Sequence, residues 1–162
     1  MSMKDHDLTE DMVTKLLENS NKRYDFVEAY NQYMKIARDY GTGETINMVE
    51  VHTLTLIADQ PGIMAKDVAL MWNRTKGAVS QTLAKLEKRG LIERRKEDGN
   101  AKNIHLYVTA AGQKLSDAHH KYDLSHLLLT DTAVSNACTN EEMETFYKVL
   151  NAYTEAIKDI TK

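Results

Sequence analysis

The chain has 162 residues, 42% hydrophobic and 28% charged, which suits one globular domain with a substantial core. There is no run of about 18 apolar residues, and the N-terminus lacks the basic-then-apolar pattern of a secretory signal, so we expect neither a membrane span nor export. A single cysteine, Cys138, excludes an internal disulfide, and a cytoplasmic location is expected.

Charge is unevenly distributed along the chain, whose net charge is −3. Residues 74–102 contain nine basic and four acidic side chains, a net of +5, against 12 basic and 20 acidic elsewhere, a net of −8. A basic module on an acidic body attracts phosphate to one surface and repels it from the rest. The pattern favours nucleic-acid binding by this segment; the alternative is a solvated run of charge without a ligand.

One proline and seven glycines predict a mostly helical protein. Residues 8–40 are predicted to form a first helix, ended by Gly41 and Gly43. A second helix is predicted from Asn47, an N-cap with Glu50 as its reciprocal capping-box partner, to about residue 59. Its expected buried side chains are Val51, Leu54, Ile57 and Ala58.

A short third helix is predicted over residues 65–71, with Val68 and Leu70 facing inward. A fourth helix follows, with Thr75 as its N-cap and Gly90 just beyond its C-terminus. Its apolar face consists of Val79, Leu83 and Leu86.

Alternating sequence predicts two strands, Leu91–Lys96 and Ile104–Val108, joined by a polar hairpin loop over residues 97–103. A fifth helix is predicted to start after Gly112 and to run toward residue 129, and a polar loop is predicted over residues 130–140.

A sixth helix is predicted from Thr139 or Asn140, and it carries a long apolar stripe. The stripe is Phe146, Val149, Leu150, Tyr153, Ile157 and Ile160. Because the preceding lobe already has a core of its own, this stripe predicts pairing with the first helix of a second chain. The alternative is that both terminal helices fold back within a monomer.

The third and fourth helices, joined by Asn73-Arg74-Thr75 and followed by a basic hairpin, match a winged helix-turn-helix. Small residues let the fourth helix approach a groove, and the amide of Gln81 can pair with an adenine edge. Predicted DNA contacts are Thr75, Lys76, Gly77, Ser80, Gln81 and Lys85 on the helix, and Arg94, Arg95, Asn100 and Lys102 on the hairpin. The alternative is a small packing unit without a ligand.

The predicted fold is therefore mainly α with a small β-hairpin wing, in which long N- and C-terminal dimerisation helices flank a winged helix-turn-helix lobe. The predicted organisation is an N-terminal arm over residues 1–45, a DNA-binding lobe over residues 46–110, and a C-terminal dimerisation region over residues 111–162. We expect these three segments to form one intertwined domain.

The stretch from Asp67 to Leu115 resembles the MarR family of bacterial transcriptional regulators, strongly so over residues 46–116. The resemblance implies a homodimer whose terminal helices interdigitate, and two winged lobes on a pseudo-palindromic duplex operator. It also implies a small effector that releases the DNA. The wing tip departs from the family pattern, because Asp98-Gly99-Asn100 stands where Asp-x-Arg is common. We expect Lys102 or Arg95 to substitute for the missing arginine.

Several histidines are candidates for a metal or effector site. His119, Asp123 and His126 share one face of the predicted fifth helix, and His52 lies in the second. Some zinc-responsive regulators of the MarR type place histidines similarly, although Asp123 stands here where a histidine is expected. The simpler interpretation assigns no cofactor and treats these side chains as polar or core-edge residues, with zinc as the alternative.

A further hypothesis is an aromatic pocket that binds an effector. The alternative is that the same residues form part of an ordinary hydrophobic core. The predicted lining of the pocket is Tyr24, Met48, His52, Trp72, His119 and Tyr122. The sequence leaves two other functions open: an enzyme using the histidine face, for which no nucleophile or phosphate-loop motif is present, and a basic interaction module for an acidic protein.

Overall fold

The computed structural model describes residues 9–97 and 100–161, without the side chains of residues 97 and 100–103. The elements are α1 (Glu10–Lys35), β1 (Ala37–Asp39), β2 (Thr45–Asn47), α2 (Met48–Asp59), α3 (Ala65–Met71), α4 (Lys76–Lys88), β3 (Ile92–Glu97), β4 (Asn100–Val108), α5 (Ala110–Ser135) and α6 (Asn140–Ile160). The mainly α fold with a β-hairpin wing is confirmed. Within these ranges no helix combines the length and apolarity that a membrane span requires. The chain forms two compact units, which divide between His119 and His120.

The predicted first helix is wrong at its C-terminal end. α1 stops at Lys35, and residues 37–39 pair antiparallel with residues 45–47. In the turn between the strands, the Asp39 carboxylate accepts hydrogen bonds of 2.9–3.1 Å from three successive backbone N–H groups, those of Gly41, Thr42 and Gly43. Both glycines have positive φ, so they close a hairpin rather than simply end a helix.

The core of the first unit lies among α2, α3, α4, the base of the β3–β4 hairpin and the start of α5. Its most deeply buried apolar side chains are Ile46, Val51, Leu54, Ile57, Val68, Leu83, Leu86, Leu106 and Leu115. Complete burial of one such side chain stabilises a fold by about 1.5–3 kcal/mol. This cluster therefore fixes α4 and the hairpin as one rigid body.

Two predicted core positions were wrong. Ala58 is only half-buried, and Leu70 is 81% exposed, while its neighbour Ala69 is buried. Leu70 follows Val68 by two residues, which on an α-helix turns it about 200° from the buried side. A seven-residue helix presents too few turns for its sequence to show which of two adjacent faces is the buried one.

Asn47 caps α2 as predicted, its side chain accepting from the N–H of Glu50 at 2.9 Å. The reciprocal half of the predicted capping box is wrong. The Glu50 carboxylate instead faces α4, where it contacts Lys85 and Arg89. A tertiary ion pair has thus displaced a local hydrogen bond.

The hairpin is longer than predicted. β3 and β4 pair in antiparallel register from Ile92 opposite Val108 to Lys96 opposite Ile104, and β4 already begins at Asn100. The segment after α2 lies alongside β4, with Gly62 N–H donating to the Leu106 carbonyl at 2.8 Å. This contact ties the hairpin to the core.

The fifth helix is also longer than predicted. α5 begins at Ala110 and continues to Ser135, so the predicted loop over residues 130–140 is reduced to a short connection. The hydroxyls of Thr130 and Thr132 donate to the carbonyls four residues earlier, at 2.9 and 2.7 Å. These bonds satisfy polar side chains within a helix, which is why a polar composition failed to mark its end.

Candidate nucleic-acid interface

The turn between α3 and α4 sets the direction of α4. Asn73 has φ +47°, in the left-handed region that asparagine enters more readily than most residues. The Thr75 hydroxyl then accepts from the N–H of Ala78 at 3.2 Å, and α4 begins at Lys76. The predicted cap is confirmed, and Lys76 and Gly77 at the start of α4 are exposed to solvent.

The face of α4 opposite its buried stripe is open. Five residues of the predicted contact set lie in its exposed N-terminal half: Thr75, Lys76, Gly77, Ser80 and Gln81. A methyl group added at Gly77 would meet nothing within 4 Å, so folding does not require glycine there. Few large side chains project from this surface, so another molecule can approach the helix backbone closely.

Free positive charge is concentrated on this side of α4. Lys76 is exposed and has no acidic partner in the described part of the chain, and the same holds for Arg74 and Lys88. Prediction from sequence omitted Arg74 and Lys88 as contacts, although helical periodicity places Lys88 on the face of Gln81. The N-terminal end of a helix adds its own partial positive charge beside Arg74 and Lys76.

Lys85, by contrast, lies at the flank of α4 nearest to α2. Its ammonium is 3.3 Å from the carboxylate of Glu50, which is only 11% exposed. Glu50 also contacts Arg89 at 3.5 Å, and Arg89 in turn bonds to the Thr45 carbonyl at 3.0 Å and to Glu44. This network anchors the C-terminal end of α4 to the first hairpin.

The wing arginines also have intramolecular partners. Arg94 donates to Glu87 on α4 at 2.9 Å, and Arg95 donates to Glu93 with its Nε at 2.9 Å. The Arg95 guanidinium also lies 4.4 Å from the centre of the Tyr107 ring. Both side chains are exposed, on opposite faces of β3, and each lies beside a carboxylate.

The predicted tip contacts fall outside the described residues. These are the side chains of Asn100 and Lys102, together with residues Asp98 and Gly99, where the sequence departs from the family pattern. Their predicted role remains a prediction.

A second cluster forms around two histidines of the first unit. The rings of His52 and His119 are 4.9 Å apart between centroids, and Tyr40 meets His119 edge-on at 5.0 Å. Trp72 lies 6.0 Å from His52, and the Thr55 hydroxyl is 3.4 Å from Nδ1 of His119. His119 is almost completely buried. Tyr40 and Thr55 were not predicted, because only the tertiary fold brings them here.

Other predicted pocket residues lie elsewhere. Met48 is buried in the core, and Tyr24 is 72% exposed on α1. Tyr122 belongs to the second unit, where its ring stacks on His126 at 5.6 Å. Within the first unit, His52, Trp72 and His119 are the predicted lining residues that meet.

A helix-turn-helix with a basic hairpin packed behind it defines a winged helix, a fold that can present one helix and one β-ribbon to a duplex. Residues 46–104 match the model of the MarR family. This match covers part of the chain and favours a winged-helix transcriptional regulator over the enzyme alternative.

Individual relatives are distant. The HTH-type transcriptional regulator YhjH of Bacillus subtilis, itself uncharacterised, is 26% identical over 114 residues, which cover 69% of this chain. The match spans 65% of the length of YhjH.

Two solved structures share the fold. Streptococcus pneumoniae FabT, in complex with DNA, is 21% identical with a TM-score of 0.59, covering 94% of this chain and 99% of its own. Lactococcus lactis ZitR, also solved with DNA and described as zinc-responsive, is 22% identical with a TM-score of 0.67, covering 85% of this chain and 97% of its own.

Proposed function

We propose that this chain is a dimeric transcriptional regulator that binds a pseudo-palindromic duplex through α4 and the β3–β4 hairpin. The observation that carries the proposal is the exposed, small-residue face of α4 with unpaired cations at Arg74, Lys76 and Lys88. The fold shared with the DNA complexes of FabT and ZitR supports it. Acting on chromosomal DNA, the protein would work in the cytoplasm, as a repressor that blocks polymerase near its own gene.

Two subunits are part of this proposal. The exposed stripe of α6 and the exposed apolar side chains of α1 are surfaces suited to a second copy of the chain. Two-fold symmetry would place two α4 helices about one helical turn of DNA apart, so that two weak contacts act together.

The test begins with sequencing of the genomic DNA that the purified protein retains, followed by affinity measurements on the recovered site. Lys76→Ala should weaken binding to every duplex and lower the salt slope by about one. Gln81→Ala should instead relax preference at one base pair, a loss of about 1–3 kcal/mol of discrimination. Lys158→Ala removes an equal charge from α6 and serves as the control. Equal affinity for all sequences would contradict the proposal.

We also propose an effector that acts at the His52–His119 pair, with zinc as the candidate. The ring contact of 4.9 Å brings together two imidazoles, which are favourable zinc ligands, and Asp123 follows His119 by one helical turn on α5. ZitR is zinc-responsive, but this chain offers a carboxylate at Asp123, and a structural role for the buried His119 is the competing explanation.

Zinc titration of the operator complex tests the effector proposal. Wild type should change its operator affinity with zinc, and His119→Ala should not, provided that the variant keeps the wild-type melting temperature. His120→Ala, at an exposed position of α5 outside the candidate site, is the matched control for loss of an imidazole. If zinc alters neither wild type nor variant, the metal is not the effector.

A further inference from the structure

The wing carries its own anions beside its cations. Glu87 lies seven residues after Ser80, on the flank of α4 that faces the hairpin, and it accepts from Arg94 at 2.9 Å. Glu93 lies on β3 itself and accepts from Arg95 at 2.9 Å. Each arginine predicted to contact DNA is therefore already bound to a carboxylate.

These two acids differ from Glu50, the third acid that pairs with a predicted DNA-contacting cation. The Glu50 side chain is 11% exposed and holds both Lys85 and Arg89, so it belongs to the packing of α2 against α4. The side chains of Glu87 and Glu93 are each 44% exposed. A phosphate can reach the guanidinium of Arg94 or Arg95 from solvent, and folding does not depend on either pair in the way that it depends on Glu50.

Exposed ion pairs are weak, so an arginine can exchange its carboxylate for a phosphate. The displaced carboxylate nevertheless stays within a few ångströms, well inside the screening length of about 8 Å at physiological salt. It therefore repels the phosphate that its arginine attracts. Replacing the carboxylate with a DNA phosphate therefore adds less affinity for DNA than a phosphate contact made by an unpaired arginine would.

We propose that Glu87 and Glu93 lower the affinity of the winged helix for duplex DNA by occupying Arg94 and Arg95. This inference rests on the proposed DNA binding. Phosphate contacts contribute equally to all sequences, whereas base contacts from α4 discriminate among them. The two acids therefore suppress non-specific binding. As a result, the residues in the N-terminal half of α4 contribute a larger share of the total binding free energy.

Neutralisation of the acids tests the proposal. Glu87→Gln and Glu93→Gln should each tighten binding about three- to tenfold, to the recovered site and to a scrambled duplex of equal length alike. The salt slope should steepen by up to about 0.9 for each arginine released. Glu155→Gln is the matched control, because Glu155 forms a similar exposed pair with Lys158 at 2.8 Å on α6. It should change affinity by less than about twofold.

A double-mutant cycle separates local exchange from general repulsion. Arg94→Ala should cost little in wild type, and in the Arg94→Ala background the gain from Glu87→Gln should disappear. Persistence of the full gain without Arg94 would overturn the proposal. So would weaker binding by Glu87→Gln, since the pair would then serve to orient the wing. If the wild-type protein binds no duplex, the proposed function itself is overturned. If the wild type binds but the Glu→Gln variants bind no more tightly, only the inference about Glu87 and Glu93 is overturned.

Discussion

At the scale of single residues, Gly112 decides how closely α5 approaches the base of the wing. It lies in the first turn of α5, where a Cβ would stand 2.0 Å from the carbonyl oxygen of Leu91 and 3.2 Å from Cδ1 of Leu54. The Leu91 carbonyl is held in place, because it accepts from the N–H of Thr109 at 3.0 Å. A hydrogen atom fits between these groups and a methyl group does not.

Gly112→Ala is therefore expected to destabilise the fold by about 1–3 kcal/mol, the usual cost of overpacking. Helix propensity works in the opposite direction and favours alanine by about 1 kcal/mol, which is too little to reverse the sign. Gly77→Ala is the matched control, since it also lies in a first helical turn but has open space around its Cβ.

Urea unfolding at one fixed protein concentration measures both variants. Gly77→Ala should be as stable as wild type or slightly more stable, by up to about 1 kcal/mol. A Gly112→Ala protein with wild-type stability would show that α5 shifts freely on the core.

At the scale of the element, α6 is secured mainly at its N-terminal end. The Thr139 hydroxyl accepts from the N–H of Glu142 at 3.3 Å, and the Glu142 carboxylate accepts from the N–H and hydroxyl of Thr139 at 2.8 and 2.9 Å. The backbone bond first, and then the hydroxyl bond, lower the pKa of Glu142 below its ordinary value. The ionised carboxylate is thus the form that closes the capping box.

This direction of shift sets a pH dependence. Because the folded-state pKa lies below the unfolded one, the stabilisation is complete above the unfolded value of about 4.3 and is lost as pH falls through the folded value. Glu142→Ala should lower the thermal stability of α6 at pH 7, and its difference from wild type should shrink as pH falls below about 4.

Glu141→Ala removes a charge from the same helical turn without breaking the capping box, and it should have the smaller effect at pH 7. Circular dichroism melts at pH 7 and pH 3.5 provide the comparison. A difference for Glu142→Ala that is constant across this range would show that ionisation of Glu142 does not contribute.

At the scale of the whole molecule, apolar surface is left exposed in both units. In α1 of the first unit no described residue is buried, although Leu16, Leu17 and Phe26 are all more than half exposed. In the second unit, the α6 stripe is exposed along its whole length. Helices with such stripes gain most of their stability from packing, so each unit is expected to bury its surface against a second copy.

Leu150→Asp is expected to convert the proposed dimer into monomers, because it places a charge in the middle of the stripe. Loss of the second half-site should then weaken operator binding by at least about 100-fold. Asn151→Asp introduces the same side chain one residue later, about 100° around α6 from Leu150 and off the stripe, and should leave both properties unchanged.

Sedimentation velocity and operator titration at matched protein concentrations measure these two effects. A Leu150→Asp protein that remains a dimer would place the interface elsewhere. A monomer with undiminished operator affinity would refute the two-half-site arrangement.

Much of this architecture follows from local sequence. The caps at Asn47, Thr75 and Thr139 form as predicted, because each depends on contacts within three residues. The winged-helix class and the exposed face of α4 follow from periodicity and charge, which a single segment already contains. The match to the MarR family model falls on the same stretch of the chain.

Contacts between distant residues depend on the tertiary structure. Only the folded chain pairs residues 37–39 with residues 45–47, turns Leu70 outward, and brings His52 against His119. The same holds for the charges: sequence predicts that Arg94 is basic and exposed, but its position beside Glu87 depends on how the hairpin packs against α4. Local sequence patterns determine which helices and strands form. The number of unpaired charges on a surface depends instead on the packing of these elements, because packing brings some charged side chains within hydrogen-bonding distance of one another.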